Sequence, residues 1–325
     1  MPQPETSGAR EARAENPVSS RIRRIALGYG SLCLIWGSTW MAIRVVVRDI
    51  PPLEAAAVRF LTAAVLLLGL AAAQKRPFPG SRQQWTAILV LSITIMAVPY
   101  GLLFWAEQFV GSAMTAVLFS ALPLAVALFT PVMMEGSVPR EAVFAMVVAF
   151  GGLLVLFYAG LSANGRALIG GMAVLAAMLM SAWSVVYAKL RLHEVDAVAG
   201  TGLQLLFGSV LLLWGTWALE AHRQATWTKT AILGLTFLTL FGSCAAFVIY
   251  YWLLKEMRPY QVSTINMVVP VVAVLEGALL LRENVPLLML LAIALVLGSV
   301  GVALRAREEP VSAKGRVLLL RDDAE

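Results

Sequence analysis

The chain has 325 residues, a mean hydropathy of +0.81 and only 14% charged residues. Soluble domains carry roughly 25% charged residues, so the composition excludes an ordinary soluble protein. The formal net charge of +6 does not indicate a nucleic-acid partner, because the basic residues lie in loops and termini and form no patch beside aromatic residues.

The N-terminal residues 1–24 hold several arginines and almost no apolar run, so we expect a disordered cytosolic tail. The apolar stretch that follows is too long for a signal peptide and lacks a small-residue cleavage site. At the other end, residues 305–325 are again charged, and we expect a second cytosolic tail there.

Ten apolar segments lie between these tails, each close to the ~20 residues that a helix needs to cross a membrane. The predicted spans are 25–47, 54–73, 86–106, 112–134, 140–159, 168–188, 196–219, 230–254, 260–281 and 285–304. Short polar or proline-containing sequences separate them. The pattern predicts an all-α polytopic membrane protein with ten transmembrane helices.

The distribution of Lys and Arg orients these segments. With the N-terminus in the cytosol, the cytosolic side holds about three times as many of the 25 basic residues as the other side. Cytosolic loops of membrane proteins carry such an excess. We therefore expect a multi-pass protein of the cell inner (plasma) membrane with both termini in the cytosol.

The sequence also repeats itself. A shift of 147 residues aligns rare residues, among them Trp36 with Trp183, Arg44 with Arg191, Trp105 with Trp252 and Pro123 with Pro270. The shift advances the chain by five segments, an odd number, so equivalent segments cross in opposite directions. The sequence predicts two inverted five-helix repeats, 25–159 and 168–304, with a site between them.

Several motifs resemble a known family. They are Trp36-Gly37-Ser38-Thr39, Pro52 with Arg59-Phe60, Pro123 with Glu135, Pro270 with Glu283, and Gly298-Ser299-Val300-Gly301. In this order, over residues 25–304, they resemble EamA-type transporters of the drug/metabolite transporter superfamily. The resemblance implies a secondary transporter, commonly an exporter of amino acids or related small metabolites, with a central cavity between the repeats. Glu276 departs from the family pattern, which usually has a small or apolar residue there.

Two ionisable residues lie inside predicted spans, where charge is costly and usually functional. Arg59 and Glu276 are each about six residues from the same membrane surface, and neither has a charged equivalent in the repeat. They either form a structural ion pair or bind the carboxylate and ammonium of a zwitterion. Glu276 is also a candidate for coupling transport to protons.

Aromatic residues form the second group of candidates. Trp36 and Trp40 share a helix face, and Trp183 and Tyr187 occupy the equivalent positions in the second repeat. Together with Tyr100 they are predicted to line the cavity, where ring faces bind apolar or cationic solutes. The alternative for such residues is a belt at the membrane interface.

Polar and proline residues complete the candidate site. Ser38, Ser184 and Asn266 are possible hydrogen-bonding groups of the cavity. Pro99, Pro123 and Pro270 fall inside predicted spans and are candidate hinges, or static kinks in the bundle.

Other classes of function lack their motifs. The chain has no Gly-x4-Gly-Lys-Ser/Thr loop for ATP hydrolysis and no recognisable catalytic group, so we expect neither an enzyme nor a cofactor. The histidines, His193 and His222, fall on opposite sides of the predicted membrane, so no metal site is expected. The cysteines lie inside spans and are read as structural.

The leading function is export of amino acids or similar metabolites by alternating access, with a small solute, membrane lipids and possibly protons as partners. Efflux of aromatic or cationic drugs and a non-transport membrane scaffold are the alternatives.

Overall fold

A computed structural model describes residues 17–110, 112–134, 136–157, 165–281 and 287–306, and every element within these ranges is helical. The helices are α1 Pro17–Asp49, α2 Pro52–Ala73, α3 Arg82–Ala106, α4 Ser112–Phe119, α5 Leu122–Met133, α6 Arg140–Phe157, α7 Gly165–Arg191, α8 Ala197–Leu219, α9 Lys229–Glu256, α10 Pro259–Ser263, α11 Ile265–Leu281 and α12 Leu287–Arg305.

Seven helical stretches in these ranges are long and apolar enough to cross a membrane. They are Ser19–Asp49, Pro52–Ala73, Arg82–Ala106, Met114–Met133, Gly165–Arg191, Ala197–Leu219 and Lys229–Glu256. The three remaining predicted spans, 140–159, 260–281 and 285–304, correspond to α6, to α10 with α11, and to α12, which are shorter in the described part of the chain. The described part of the chain is therefore all-helical, with the long apolar helices of a multi-pass membrane protein.

Polar caps define several helix starts. Ser81 and Gln84 form a capping box at the beginning of α3, each side chain accepting a backbone N–H of the other residue. Asp196 accepts the N–H groups of Val198 and Ala199 at the start of α8, at 2.9 and 3.0 Å. These caps satisfy backbone donors that the first turn of a helix leaves unpaired.

The first helix begins earlier than predicted. It starts at Pro17, so residues 17–24 of the expected tail are helical, and Arg21 donates to Glu256 at 2.8 Å. Residues 1–16, most of the C-terminal tail, and the motif residues Glu135 and Glu283 lie outside the described ranges.

Two helices contain a π-helical segment at corresponding places. Ser92–Ala97 interrupts α3, and Leu240–Ala245 interrupts α9. The two segments are separated by 148 residues, one more than the sequence repeat. Such segments are uncommon and frequently accompany functional sites. Both halves therefore depart from α-helical geometry at nearly the same point.

The helices α2 and α8 form an antiparallel pair across the two halves. Backbone N–H groups at the start of α2 reach Glu220 just after α8, whereas Arg76, just after α2, pairs with Asp196 before α8 at 3.0 Å. Gly202 permits the close approach, since a Cβ there would lie 2.9 Å from the side chain of Leu68. The two helices are thus held together at both ends and pack closely between them.

Candidate functional site

A cavity lies in the middle of the bundle, between residues of both halves. Its free volume is about 70 Å³, below the ~300–1,000 Å³ of typical ligand pockets, so the cavity is narrow in this conformation. From the first half it is lined by α1, α2, α3, α4 and the start of α5, and from the second half by α7, α9 and α11. Its walls are mostly apolar and aromatic.

Half of the lining consists of residues that the 147-residue repeat relates to each other. The four pairs are Tyr100 with Phe247, Leu103 with Tyr250, Phe119 with Asn266, and Leu122 with Val269. They come from α3 and α9, and from α4, α5 and α11. The repeat thus relates part of the lining from the first half to part of the lining from the second half.

The first helix adds two tryptophans to this cavity. Trp36 lies 5.4 Å from Tyr250 and 6.1 Å from Phe247, measured between ring centroids. Trp40 lies 5.9 Å from the ring of Phe119. Aromatic pairs at these separations stabilise the packing beyond simple burial. The structure thus places Trp36, Trp40 and Tyr100 at the cavity.

Arg59 also lines the cavity, although its side chain is almost completely buried, with 1% exposed. Its Nε donates to Ser243 Oγ at 2.8 Å and its Nη2 donates to the carbonyl oxygen of Gly242 at 3.0 Å. Both acceptors belong to the π segment of α9. The Arg59 guanidinium, which belongs to the first half, is therefore hydrogen-bonded to residues of the second half.

Three aromatic rings surround the same guanidinium. Its Cζ lies 5.4, 5.3 and 5.9 Å from the ring centroids of Phe60, Tyr100 and Phe104. Rings at these distances attract a cation through their negative faces. Gly242 is needed for close approach, because a Cβ there would lie 3.1 Å from Nη2.

Arg59 and Glu276 do not form an ion pair. The described contacts of Arg59 are those above, whereas Glu276, half-buried on α11, accepts a hydrogen bond from Ser38 Oγ at 2.6 Å. Ser38 and Glu276 join α1 to α11 and lie outside the cavity lining. The sequence placed both charges at one depth, but depth alone does not fix which helix face each occupies.

Trp183, Ser184 and Tyr187 also lie outside the cavity lining. Trp183 and Tyr187 stack on each other at 4.9 Å with ring planes 14° apart, and Ser184 Oγ donates to Thr94 at 2.8 Å. The helix α7 instead presents Ser181 and Val185 to the cavity, four residues apart and therefore on one face.

The candidate prolines occupy different positions in their helices. Pro99 follows the π segment of α3, and Pro123 is the second residue of α5, directly after the break at Ser120 and Ala121. Of these three, Pro270 alone lies in the interior of an uninterrupted α-helix, α11. Pro123 thus follows a discontinuity and does not kink a continuous helix. Sequence reasoning did not single out Pro131, inside α5.

Asn266 lines the cavity, and its Nδ2 donates to the carbonyl of Ser263 at 3.1 Å. Sequence reasoning missed Thr39, Phe119 and Phe247, among others. The signal for two of them was available, because Phe119 and Phe247 are the repeat equivalents of the candidates Asn266 and Tyr100.

Comparison with known proteins decides the family. The profile described as EamA-like transporter family matches the chain twice, over residues 26–158 and 168–305. The chain belongs to this family. It is therefore a transporter-family protein of the drug/metabolite transporter superfamily and not an enzyme.

Individual relatives agree with this membership. The chain is 30% identical to the transporter YoaV of Bacillus subtilis over 84% of this chain and 94% of the relative. It is also 30% identical to the inner membrane transporter YedA of Escherichia coli K12, over 86% and 91% of the two chains. A solved crystal structure superimposes with a TM-score of 0.70 at 18% identity, over 93% of this chain and 99% of that one, and shows the same fold.

Proposed function

We propose that this EamA-family protein is a secondary active transporter that exports amino acids or related small metabolites by alternating access. In this proposal ten segments cross the inner membrane as two inverted repeats, with both termini in the cytosol. One observation carries it: the central cavity is lined by four residue pairs that the repeat relates. Inverted repeats that share a central site are the usual architecture of such transporters.

The two halves differ in conformation at this cavity. Trp40 and Ile43 of α1 line it, whereas their repeat equivalents on α7, Tyr187 and Leu190, do not. Conversely, α7 lines the cavity with Val185, whose equivalent is Ser38. Alternating access requires inverted halves that exchange such conformations, so the asymmetry supports the proposal.

Polar contacts between the halves lie at both ends of α1. Tyr29 and Thr264 share a hydrogen bond of 2.8 Å near its beginning. At its end, Asp49 accepts a hydrogen bond from the hydroxyl of Thr228, and its carbonyl accepts from the N–H of Thr226 at 2.8 Å. If one half rocked against the other, the hydrogen bonds at one end of α1 would break while those at the other end remained.

Protons are the proposed coupling ion, and Glu276 is the proposed carrier. It is a half-buried carboxylate on α11 that contacts α1 across the two halves through Ser38. Because this contact joins the two halves, rocking of one half against the other would change the surroundings of the carboxyl group.

Efflux of aromatic or cationic drugs is the second candidate. The aromatic lining favours it, since rings bind cations through their faces. Against it, the described lining residues include no Asp or Glu, and the charged residue among them is Arg59.

Counterflow in liposomes containing only the purified protein tests the proposal. Labelled amino acids should exchange, and Val269→Trp, which fills the cavity, should abolish the exchange. The control Val210→Trp places the same side chain at a position of α8 that is 54% exposed and should remain active. Leu122→Trp replaces the first variant if Val269→Trp does not fold.

The alternatives predict other outcomes of the same assay. Exchange of organic cations in place of amino acids would support drug efflux and overturn amino-acid export. The absence of exchange for every solute would overturn transport and leave the scaffold.

A further inference from the structure

The cavity contains two buried polar atoms that lack a hydrogen-bond partner among the described residues. They are Nη1 of Arg59 and Nε1 of Trp36. Both are donors, because neither a guanidinium nor an indole N–H can accept a hydrogen bond. A buried donor without an acceptor is costly, and protein interiors rarely keep one without a reason. A ligand that satisfies these two donors must therefore supply hydrogen-bond acceptors.

Arg59 carries the charge that such a ligand would meet. A guanidinium this deeply buried loses its hydration, and only two neutral oxygens and three ring faces replace it. No Asp or Glu lies within 4.0 Å of it in the described part of the chain. Buried charges are normally paired with an opposite charge, so the site is electrostatically incomplete.

We propose that the central cavity binds the carboxylate group of its solute through Arg59, and that the solute is an organic acid or amino acid with an apolar or aromatic body. The proposal rests on the proposed transport function and specifies the substrate class of that site. Arginine is suited to this role, because its planar fork donates two parallel hydrogen bonds to a carboxylate.

A continuous row of rings extends from Arg59 along the cavity. Tyr100 lies beside the guanidinium, Phe247 lies 5.8 Å from Tyr100, and Trp36 lies 6.1 Å from Phe247 and 5.4 Å from Tyr250. A ligand held at Arg59 would place its body against this row. The row thus favours aromatic and large apolar bodies over small hydrophilic ones.

An amino group is accepted but not required at this site. The carboxamide of Asn266 uses its N–H for the carbonyl of Ser263, so its oxygen remains available to accept from an ammonium. Because the described lining contains no carboxylate, an ammonium gains little there and repels Arg59. The site should therefore prefer carboxylates and reject compounds whose only charge is positive.

Four compounds with the same phenyl group separate these requirements. L-phenylalanine and 3-phenylpropionate carry the carboxylate, whereas L-phenylalaninamide and phenethylamine carry only the ammonium. Binding to the purified wild-type protein is measured by tryptophan fluorescence and by thermal shift. Both acids should bind, and the amide and the amine should bind at least about tenfold more weakly, the loss expected for a charge-assisted hydrogen bond.

Variants of Arg59 test whether this residue causes the preference for carboxylates over the amide. Arg59→Gln should weaken binding of both acids about tenfold or more and remove their advantage over the amide. Arg59→Lys should keep the preference at reduced affinity. The control Arg48→Gln removes an exposed arginine at the end of α1 and should keep both affinity and preference. If Arg59→Gln does not fold, the wild-type ligand series and Arg59→Lys still test the proposal.

Equal binding of acid and amide, binding of neither acid, or an unchanged preference in Arg59→Gln would overturn the inference. Counterflow separates this failure from failure of the transport function. If amines are exchanged and acids are not, the transport function is supported and the carboxylate site is contradicted. If the acids bind but no solute is exchanged, the carboxylate site is supported and the transport function is contradicted.

Discussion

Tyr100 and Phe247, which are 147 positions apart in the chain, meet edge to face with their ring centroids 5.8 Å apart. If a two-fold axis relates two halves, equivalent side chains can touch only close to that axis. The contact therefore supports a central cavity on the axis between the halves, as the proposed function requires. It also identifies the pair as the place where substitutions in the two halves should have similar effects.

We predict that Phe247→Ala weakens binding of L-phenylalanine about two- to twelvefold, because a ring contact contributes about 0.5–1.5 kcal/mol. Tyr100→Ala should have an effect of the same size, and the double variant should lose less than the sum, since the two rings touch. Titration of the purified variants by fluorescence measures the three dissociation constants.

Phe237→Ala is the control for this series. Phe237 pairs with Phe241 at 5.6 Å and does not line the cavity, so its removal should leave the affinity unchanged. Equal losses in Phe237→Ala and Phe247→Ala would mean that the ring effect is not specific to the cavity.

Gly37 sets the approach of α1 to α11. A Cβ at this position would lie 2.5 Å from Val272 Cγ1, so Gly37→Ala should lower the melting temperature through overpacking, which typically costs about 1–3 kcal/mol. Removing the opposing methyl groups in Gly37→Ala/Val272→Ala should recover part of the loss. Thermal unfolding in detergent measures both variants.

Gly30 provides the matched control on the same helix. A Cβ at Gly30 meets no atom within 4 Å, so Gly30→Ala should be neutral or slightly stabilising, as expected for alanine in a helix. A melting temperature that is lowered equally by both substitutions would show that the contact with Val272 is not responsible for the loss.

Much of the helix arrangement follows from the sequence, because long apolar segments must be helical to satisfy their backbone groups in lipid. The side chains that face the cavity follow less well. Tryptophan at equivalent positions suggested equivalent roles, but Trp36 lines the cavity and Trp183 stacks with Tyr187 outside it. The repeat fixes the fold of each half and not its conformational state.

The partners of Arg59 could not be predicted for a related reason. Its acceptors are the carbonyl oxygen of Gly242 and the hydroxyl of Ser243. Both belong to a π segment that no sequence pattern predicted. The sequence instead suggested Glu276, which has opposite charge at a similar depth. Rotation of each helix about its axis decides such contacts, and packing sets that rotation.

Glu220 is predicted to make stability depend on pH. It lies just after α8, and its Oε2 accepts the N–H groups of Leu53 and Glu54 at the start of α2, at 3.0 and 3.3 Å. Burial raises the pKa of this carboxyl group, although these N–H groups and the Arg223 guanidinium oppose the rise. A raised pKa in the folded state means that the stabilisation is fully present below the usual carboxyl pKa and is lost as the pH rises through the folded pKa.

The melting temperature of the wild type relative to Glu220→Gln should therefore fall between pH 5 and pH 7.5. The glutamine keeps an oxygen that accepts from α2 but does not ionise. Glu141→Gln, which removes an exposed carboxylate from the first turn of α6, should show no such relative change. A constant difference between wild type and Glu220→Gln across this range would contradict the prediction.

Glu276 allows a test of proton coupling that leaves the α1–α11 contact in place. Glu276→Gln keeps an oxygen for the hydroxyl of Ser38 but cannot carry a proton. Counterflow exchange, which needs no proton gradient, should stay within about twofold of the wild type because Glu276 does not line the cavity. Accumulation driven by a pH gradient across liposomes should be lost.

Ser38→Ala is the complementary control, because it removes the hydrogen bond but keeps the carboxylate, and it should retain gradient-driven accumulation. If Glu276→Gln still accumulates solute in response to the gradient, protons are not coupled through Glu276, and the coupling group must lie elsewhere between the halves.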